Sequence, residues 1–118
     1  MTKVLLAEDD RTMVSLLTTL LRMEGYDVAT LSADMDVLTA LQHEKPEVLF
    51  MDVHLGKQNG MEIIDAIRRD PALAKVRIIM ASGMNLKEEC LQRGADHFIL
   101  KPFMPDDLLS LLKQNNSS

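Results

Sequence analysis

Apolar residues in this chain form five short runs, and the segments between the runs carry apolar residues at helical spacing. The runs occupy residues 4–7, 26–31, 48–51, 76–81 and 97–100. Continuous apolar runs of this length are typical of strands buried on both faces of a sheet. Strict alternation of such strands with helices predicts a parallel sheet, covered by helices on both faces and joined by right-handed crossovers. The pattern therefore predicts an α/β fold.

Capping and breaking residues predict where the helices begin and end. Asp9 or Asp10 is suited to cap the first helix, and Gly25 is suited to follow its end. Pro71 disfavours helical backbone in the residue before it, so the third helix should end near residue 70. Gly94 should close the fourth helix. The apolar positions that indicate the second to fifth helices are Met35, Leu38, Leu41; Met61, Ile64, Ile67; Leu86, Cys90, Leu91; and Leu108, Leu109, Leu111, Leu112.

Length and composition limit the class of protein. With 118 residues and 47% hydrophobic content, the chain is expected to form one domain over 1–118, with a core at 3–113 and a frayed polar tail at 114–118. A net charge of −5 argues against binding of the nucleic-acid backbone. One cysteine excludes an internal disulfide, and no signal peptide or bilayer-length apolar stretch is visible. We therefore expect a cytoplasmic protein without a membrane segment.

Four of the apolar runs stop at residues that phosphoryl chemistry could use. Glu8 and Asp9 follow the first run, Asp52 the third, Ser82 the fourth and Lys101 the fifth. The carboxyl ends of parallel strands lie side by side, and ligands bind in the crevice beyond them. The sequence therefore predicts one acidic site that also contains a hydroxyl and an ammonium group.

The acidic residues predict a cation and a nucleophile. Adjacent carboxylates in a partly desolvated crevice repel one another unless a cation compensates, and Mg²⁺ prefers a few carboxylate oxygens together with water and phosphate. Glu8, Asp9 and Asp52 could supply those oxygens, whereas Asp10 is better explained as a helix cap. Asp52 could also attack a phosphoryl group and form an aspartyl phosphate, with Lys101 pairing first with Asp52 and then with the phosphoryl oxygens.

Taken together, these motifs resemble the receiver domain of two-component response regulators. The matching segments are LLAEDD at 5–10, FMD at 50–52 with a glycine at 60, IMASG at 79–83, and KPF at 101–103. The resemblance covers about residues 3–113. It implies a chemotaxis-regulator-like, flavodoxin-like (βα)5 sandwich with strand order 2-1-3-4-5 and a cis bond between Lys101 and Pro102.

The resemblance also implies a role for each site residue. Asp52 is the phosphoacceptor, Lys101 contacts the phosphoryl group, and Ser82 and Phe98 form the conformational switch. Mg²⁺, which Mn²⁺ could replace, is held by Glu8, Asp9, Asp52 and the backbone carbonyl of His54.

Partners follow from the same resemblance. A sensor histidine kinase or a histidine phosphotransfer protein donates the phosphoryl group from a phosphohistidine. The domain catalyses its own phosphorylation and dephosphorylation, and regulates a target through the fourth helix, fifth strand and fifth helix. It is expected to be a monomer or a phosphorylation-dependent dimer, and to bind no nucleic acid by itself.

The chain departs from the family pattern at two positions. Leu55-Gly56 stands where the family often has Met-Pro, which predicts a more mobile loop after the phosphoacceptor. Ser82 replaces the commoner threonine and keeps the hydroxyl group. Neither departure removes a catalytic group.

Two other functional classes match the sequence less well. A Mg²⁺-dependent phosphatase of the haloacid-dehalogenase type would need a second Asp two residues after the nucleophile, where this chain has His54. A flavin-binding flavodoxin would need a Ser/Thr/Gly-rich phosphate loop where residues 8–10 are all acidic, and more than the 3% aromatic residues found here.

Overall fold

The computed structural model describes residues 1–31 and 35–114 and contains a five-stranded parallel sheet. The strands are β1 (Lys3–Ala7), β2 (Asp27–Thr30), β3 (Val48–Asp52), β4 (Arg77–Ser82) and β5 (His97–Leu100). Their spatial order is β2-β1-β3-β4-β5, which confirms the predicted order 2-1-3-4-5. The helices are α1 (Arg11–Met23), α2 (Val37–Glu44), α3 (Gly60–Arg69), α4 (Lys87–Arg93) and α5 (Pro105–Lys113). Of the predicted tail, residues 115–118 lie outside the described part of the chain.

Helices cover both faces of the sheet because successive strand residues point to opposite sides. On one face, Leu5 and Leu49 pack with the buried residues of α2, α3 and α4. On the other face, Leu6 and Phe50 pack with those of α1 and α5. The apolar runs therefore supply two cores, as predicted for a sheet that is buried on both sides.

The ends of the elements refine the predicted boundaries. Asp10 caps α1, since its side chain accepts a hydrogen bond from the Met13 N–H at 3.1 Å. The second strand is shorter than the predicted 26–31, because the Tyr26 N–H is bonded to the Leu21 carbonyl at the end of α1. Helix α2 begins at Val37, so Met35 lies before the helix and packs against its core. Because Asp10 provides this cap, the carboxylate of Asp9 is available to the predicted acidic site.

Arg68, near the end of α3, joins this helix to the segment before β4 and to the turn between α4 and β5. Its guanidinium donates hydrogen bonds to the carbonyls of Gly94, Ala74 and Val76 at 2.8, 2.9 and 2.7 Å. A fourth bond reaches the carboxylate of Asp96 at 2.9 Å. This role of Arg68 is not visible in the sequence, because only the tertiary structure brings these carbonyls together.

Within the described ranges, 1–31 and 35–114, no helix is both long enough and apolar enough to cross a membrane.

Candidate functional site

Lys101 lies between two carboxylates at the carboxyl edge of the sheet. Its Nζ is 2.5 Å from Glu8 Oε1 and 2.5 Å from Asp52 Oδ2. The three side chains are largely shielded from solvent, with 1% of Glu8, 14% of Asp52 and 19% of Lys101 exposed. The predicted contact between Lys101 and Asp52 is present. The second contact, with Glu8, was not anticipated.

Backbone amides hold the remaining carboxylate oxygens. Glu8 Oε2 accepts a hydrogen bond from the Asp10 N–H at 3.0 Å. Asp52 Oδ1 accepts one from the His54 N–H at 2.8 Å. Each carboxylate is thus bonded to an amide through one oxygen and to Lys101 through the other. This arrangement orients both groups toward the crevice beyond β1 and β3.

Burial and the proximity of opposite charges together set the ionisation of Glu8 and Lys101. Burial raises the pKa of Glu8, and the bonds from Lys101 and from the Asp10 amide offset part of that increase. Burial also disfavours the charged form of Lys101, but the hydrogen bonds to Asp52 and Glu8 outweigh it and raise the pKa of Lys101. Lys101 therefore remains an ammonium ion and serves as a cation inside the site.

The acidic cluster has the donor chemistry of a magnesium site. Glu8, Asp9 and Asp52 each offer a carboxylate oxygen, and these oxygens lie within 4.8 Å of one another. Hard carboxylate donors match Mg²⁺, which usually retains several of its waters. Asp9 is exposed, so one side of the cluster is open to solvent. The residues present therefore fit the cation that the sequence predicted.

The predicted switch residues are on the α4 side of the sheet. Ser82 is 1% exposed, and its Oγ accepts a hydrogen bond from the Met84 N–H at 3.1 Å. Phe98 is half-buried against the core on that face and pairs in register with Met80. The Lys101 N–H donates to the Ser82 carbonyl at 2.8 Å, which extends β5 alongside β4. The Lys101–Pro102 peptide is cis, as the resemblance implied.

A groove adjoins the acidic cluster on the α1 side. It has a volume of about 760 Å³, and the acidic pair Glu8 and Asp9 contributes to its lining. Its other walls come from α1, the end of β2 and the segment after β3: Arg11, Val14, Ser15, Thr30, Leu31, Leu55, Gly56, Lys57 and Gln58. The groove was not predicted from the sequence, because its walls come from three separate segments of the chain.

Comparison with known proteins identifies the family. The family model of the response regulator receiver domain matches residues 4–113. The chain belongs to this family. It is therefore a signalling phosphoacceptor of the two-component type, and membership supports that function over the phosphatase alternative.

Several response regulators are similar to the chain. It is 34% identical over 114 residues to the transcriptional regulatory protein CpxR homolog of Haemophilus influenzae, covering 96% of this chain and 49% of that protein. It is 30% identical over 112 residues to the alkaline phosphatase synthesis transcriptional regulatory protein PhoP of Bacillus subtilis, covering 94% and 47%. The chain thus spans about half the length of the curated relatives it matches.

Solved receiver structures share the fold. The chemotaxis response regulator CheY4 of Vibrio cholerae superposes with a TM-score of 0.85 at 28% identity, covering 95% of this chain and 96% of that one. A response regulator from Chloroflexus aurantiacus gives a TM-score of 0.84 at 28% identity, with coverage of 95% and 94%. These similarities agree with the observed strand order.

Proposed function

We propose that Asp52 accepts a phosphoryl group from the phosphohistidine of a sensor histidine kinase or a histidine phosphotransfer protein. The observation that carries this proposal is the position of the Asp52 carboxylate, which lies at a strand end beside Lys101 and two further carboxylates. Phosphoryl transfer depends mainly on positioning and charge neutralisation, and these contacts supply both.

In the proposed reaction, Asp52 acts as the nucleophile. A carboxylate oxygen bonds to phosphorus as the bond from phosphorus to the donor imidazole nitrogen breaks, and the imidazole leaves with that electron pair. Mg²⁺, or Mn²⁺ in its place, would be held by Glu8, Asp9, Asp52 and the backbone carbonyl of His54, and would offset charge on the phosphoryl oxygens. When Asp52 is phosphorylated, the Lys101 ammonium exchanges its contacts with the carboxylates for a contact with a phosphoryl oxygen. Hydrolysis of the aspartyl phosphate by water in the same site restores Asp52.

The proposed switch uses Ser82 and Phe98. Because the Ser82 oxygen accepts the Met84 N–H, its hydroxyl hydrogen is available for donation to a phosphoryl oxygen. Movement of Ser82 toward the new charge would open space for a different rotamer of Phe98. Through this pair, phosphorylation shifts the conformational equilibrium of the surface formed by α4, β5 and α5. We propose that the target binds to this surface.

The remaining proposals concern the domain as a whole. The receiver domain spans 1–118 with its core at about 3–113, acts in the cytoplasm, and binds no nucleic acid by itself. It is a monomer, or dimerises when phosphorylated.

Phosphorylation by a small donor tests the assignment of Asp52. The native chain should gain the mass of one phosphoryl group on incubation with Mg²⁺ and acetyl phosphate, and the gain should decay after the donor is removed. Chelation of the metal should prevent labelling. Asp52→Asn should gain nothing, whereas Asp27→Asn, an exposed aspartate at the start of β2, should label like the native chain. An equal gain in Asp52→Asn, or none in the native chain, would refute the proposal.

A further inference from the structure

The loop between β3 and α3, residues 53–59, carries the backbone groups next to the phosphoacceptor. At its base, the Gly60 N–H donates a hydrogen bond to the Val53 carbonyl at 2.9 Å. Within the loop, the Gln58 N–H donates to the Leu55 carbonyl at 2.8 Å, and the Leu55 side chain is 5% exposed. The Val53 side chain is also buried, so the loop is a compact turn anchored in the core by two apolar side chains.

Gly56 gives this turn a path that proline cannot follow. Its φ is +55°, in the left-handed region, whereas a proline ring restricts φ to about −65°. The Met-Pro pair that is frequent in the family could not be placed on this backbone. The loop thus lacks the restraint of proline, and any other restraint on it has to come from its contacts.

Gln58 makes such a contact with a different element of the fold. Its side-chain Oε1 accepts a hydrogen bond from the Val37 N–H at 2.9 Å. Val37 is the first residue of α2 and is fully buried, so the acceptor meets a donor that is fixed in the core. The amides of the first helical turn have no partner within their helix, and Gln58 satisfies one of them.

The opposite side of the loop borders the groove of about 760 Å³ between the loop and α1. Among the described residues, one side-chain hydrogen bond joins this loop to an element other than β3 or α3. It is the bond that the Gln58 Oε1 accepts from α2. In the described part of the chain, the other hydrogen bond from this loop to a more distant element is the backbone bond from the Val53 N–H to the Ala81 carbonyl of β4, at the start of the loop. Near the end of the loop, the polar restraint thus comes from α2. Loss of the Gln58 bond would leave residues 56–58 of the loop less restrained beside the groove.

We infer that Gln58 is a positioning residue for the metal site: its bond to α2 keeps the β3–α3 loop, and with it the backbone of His54, beside Asp52. This inference rests on the proposed function. The His54 N–H already orients Asp52 at 2.8 Å, and the same residue supplies the proposed carbonyl ligand. A looser loop would have to be ordered when the metal binds, and the entropy lost in ordering it would weaken binding. By linkage, Mg²⁺ should in turn protect the Val37 amide from hydrogen exchange.

Three variants separate this role from a general effect on stability. Gln58→Met keeps the length of the side chain and removes the amide acceptor, whereas Gln58→Glu keeps an oxygen at the same reach. Thr39→Val is the matched control, since it removes the hydroxyl bond to Asp36 in the first turn of α2 and leaves the loop contact intact. We would measure the Mg²⁺ dissociation constant by calorimetry, and amide exchange of residues 55–58 and of Val37 without metal.

Gln58→Met should weaken Mg²⁺ binding about threefold to tenfold, the change expected for one lost hydrogen bond, and should speed exchange in the metal-free loop. Gln58→Glu should bind Mg²⁺ at least as tightly as the native chain, and Thr39→Val should match the native chain in both measurements. Native affinity and native exchange in Gln58→Met would overturn the inference, as would equal weakening by Gln58→Glu. If the native chain bound no Mg²⁺ through Asp52, the proposed metal site itself would be wrong. That result differs from one in which the native chain binds Mg²⁺ and Gln58→Met binds it with the same affinity, which would contradict only the role of Gln58.

Discussion

Neutralising Asp9 should make the metal-free protein more stable while impairing the site. Asp9 is exposed and its carboxylate belongs to the acidic cluster, whereas the neighbouring Asp10 provides the cap of α1. Asp9→Asn therefore removes one negative charge and retains the size of the side chain and the helix cap. The stability gain should come from relief of repulsion within the cluster.

The magnitude follows from the geometry of the cluster. The Asp9 carboxylate has oxygens of Glu8 and Asp52 within 4.8 Å. Two like charges at that distance repel by about 1 kcal/mol in bulk water and by about 3 kcal/mol at an effective dielectric constant of 20. Exposure of Asp9 favours the lower value, and attraction to Lys101 offsets part of the repulsion. We expect a net gain of about 1 kcal/mol, or roughly 4 °C in Tm for a domain of this size.

Thermal unfolding at low ionic strength with a chelator present measures this effect. Added Mg²⁺ should raise the Tm of the native chain and have a smaller effect on Asp9→Asn, because at a given ligand concentration a weaker ligand stabilises the folded state less. Asp27→Asn, which also removes an exposed carboxylate but lies outside the cluster, should bring no gain in stability. If Asp9→Asn were no more stable than the metal-free native chain, repulsion between the Asp9 carboxylate and those of Glu8 and Asp52 would not destabilise the fold, and the reasoning would be refuted.

Two further predictions concern stability away from the site. Arg68→Met should destabilise the fold by about 3 kcal/mol in urea unfolding, since it leaves several carbonyls without their charged donor; Arg93→Met, which breaks an exposed ion pair, should cost less than about 1 kcal/mol. Equal losses in the two variants would contradict the role of Arg68. Burial and the charge of Arg77 lower the pKa of His97, so protonation favours the unfolded chain, and stability should fall as the pH drops from about 6.5 toward the folded-state pKa. His97→Gln should show a smaller loss of Tm between pH 7.5 and 5, and an equal loss would refute this assignment.

Several parts of the structure could be predicted because they depend on local sequence. Runs such as 48–51 are short, apolar and separated by helical segments, which favours buried strands, and Gly94 closes α4 with a φ of +119° that other residues rarely adopt. The meeting of Glu8, Asp52 and Lys101 followed from one rule, namely that parallel strands end at the same edge. Boundaries such as the start of α2 were less accurate, because a side chain from another segment helps to set them.

By itself, the sequence determined the order of the elements, the two buried faces of the sheet, and the set of residues at its carboxyl edge. Apolar periodicity and strand ends carry this information, and both can be read one segment at a time. Only the tertiary structure decided that Lys101 pairs with Glu8 as well as Asp52, and that Gln58 joins the loop to α2. Such contacts depend on distances and side-chain directions between segments far apart in the chain, and packing sets these only when the whole domain is assembled.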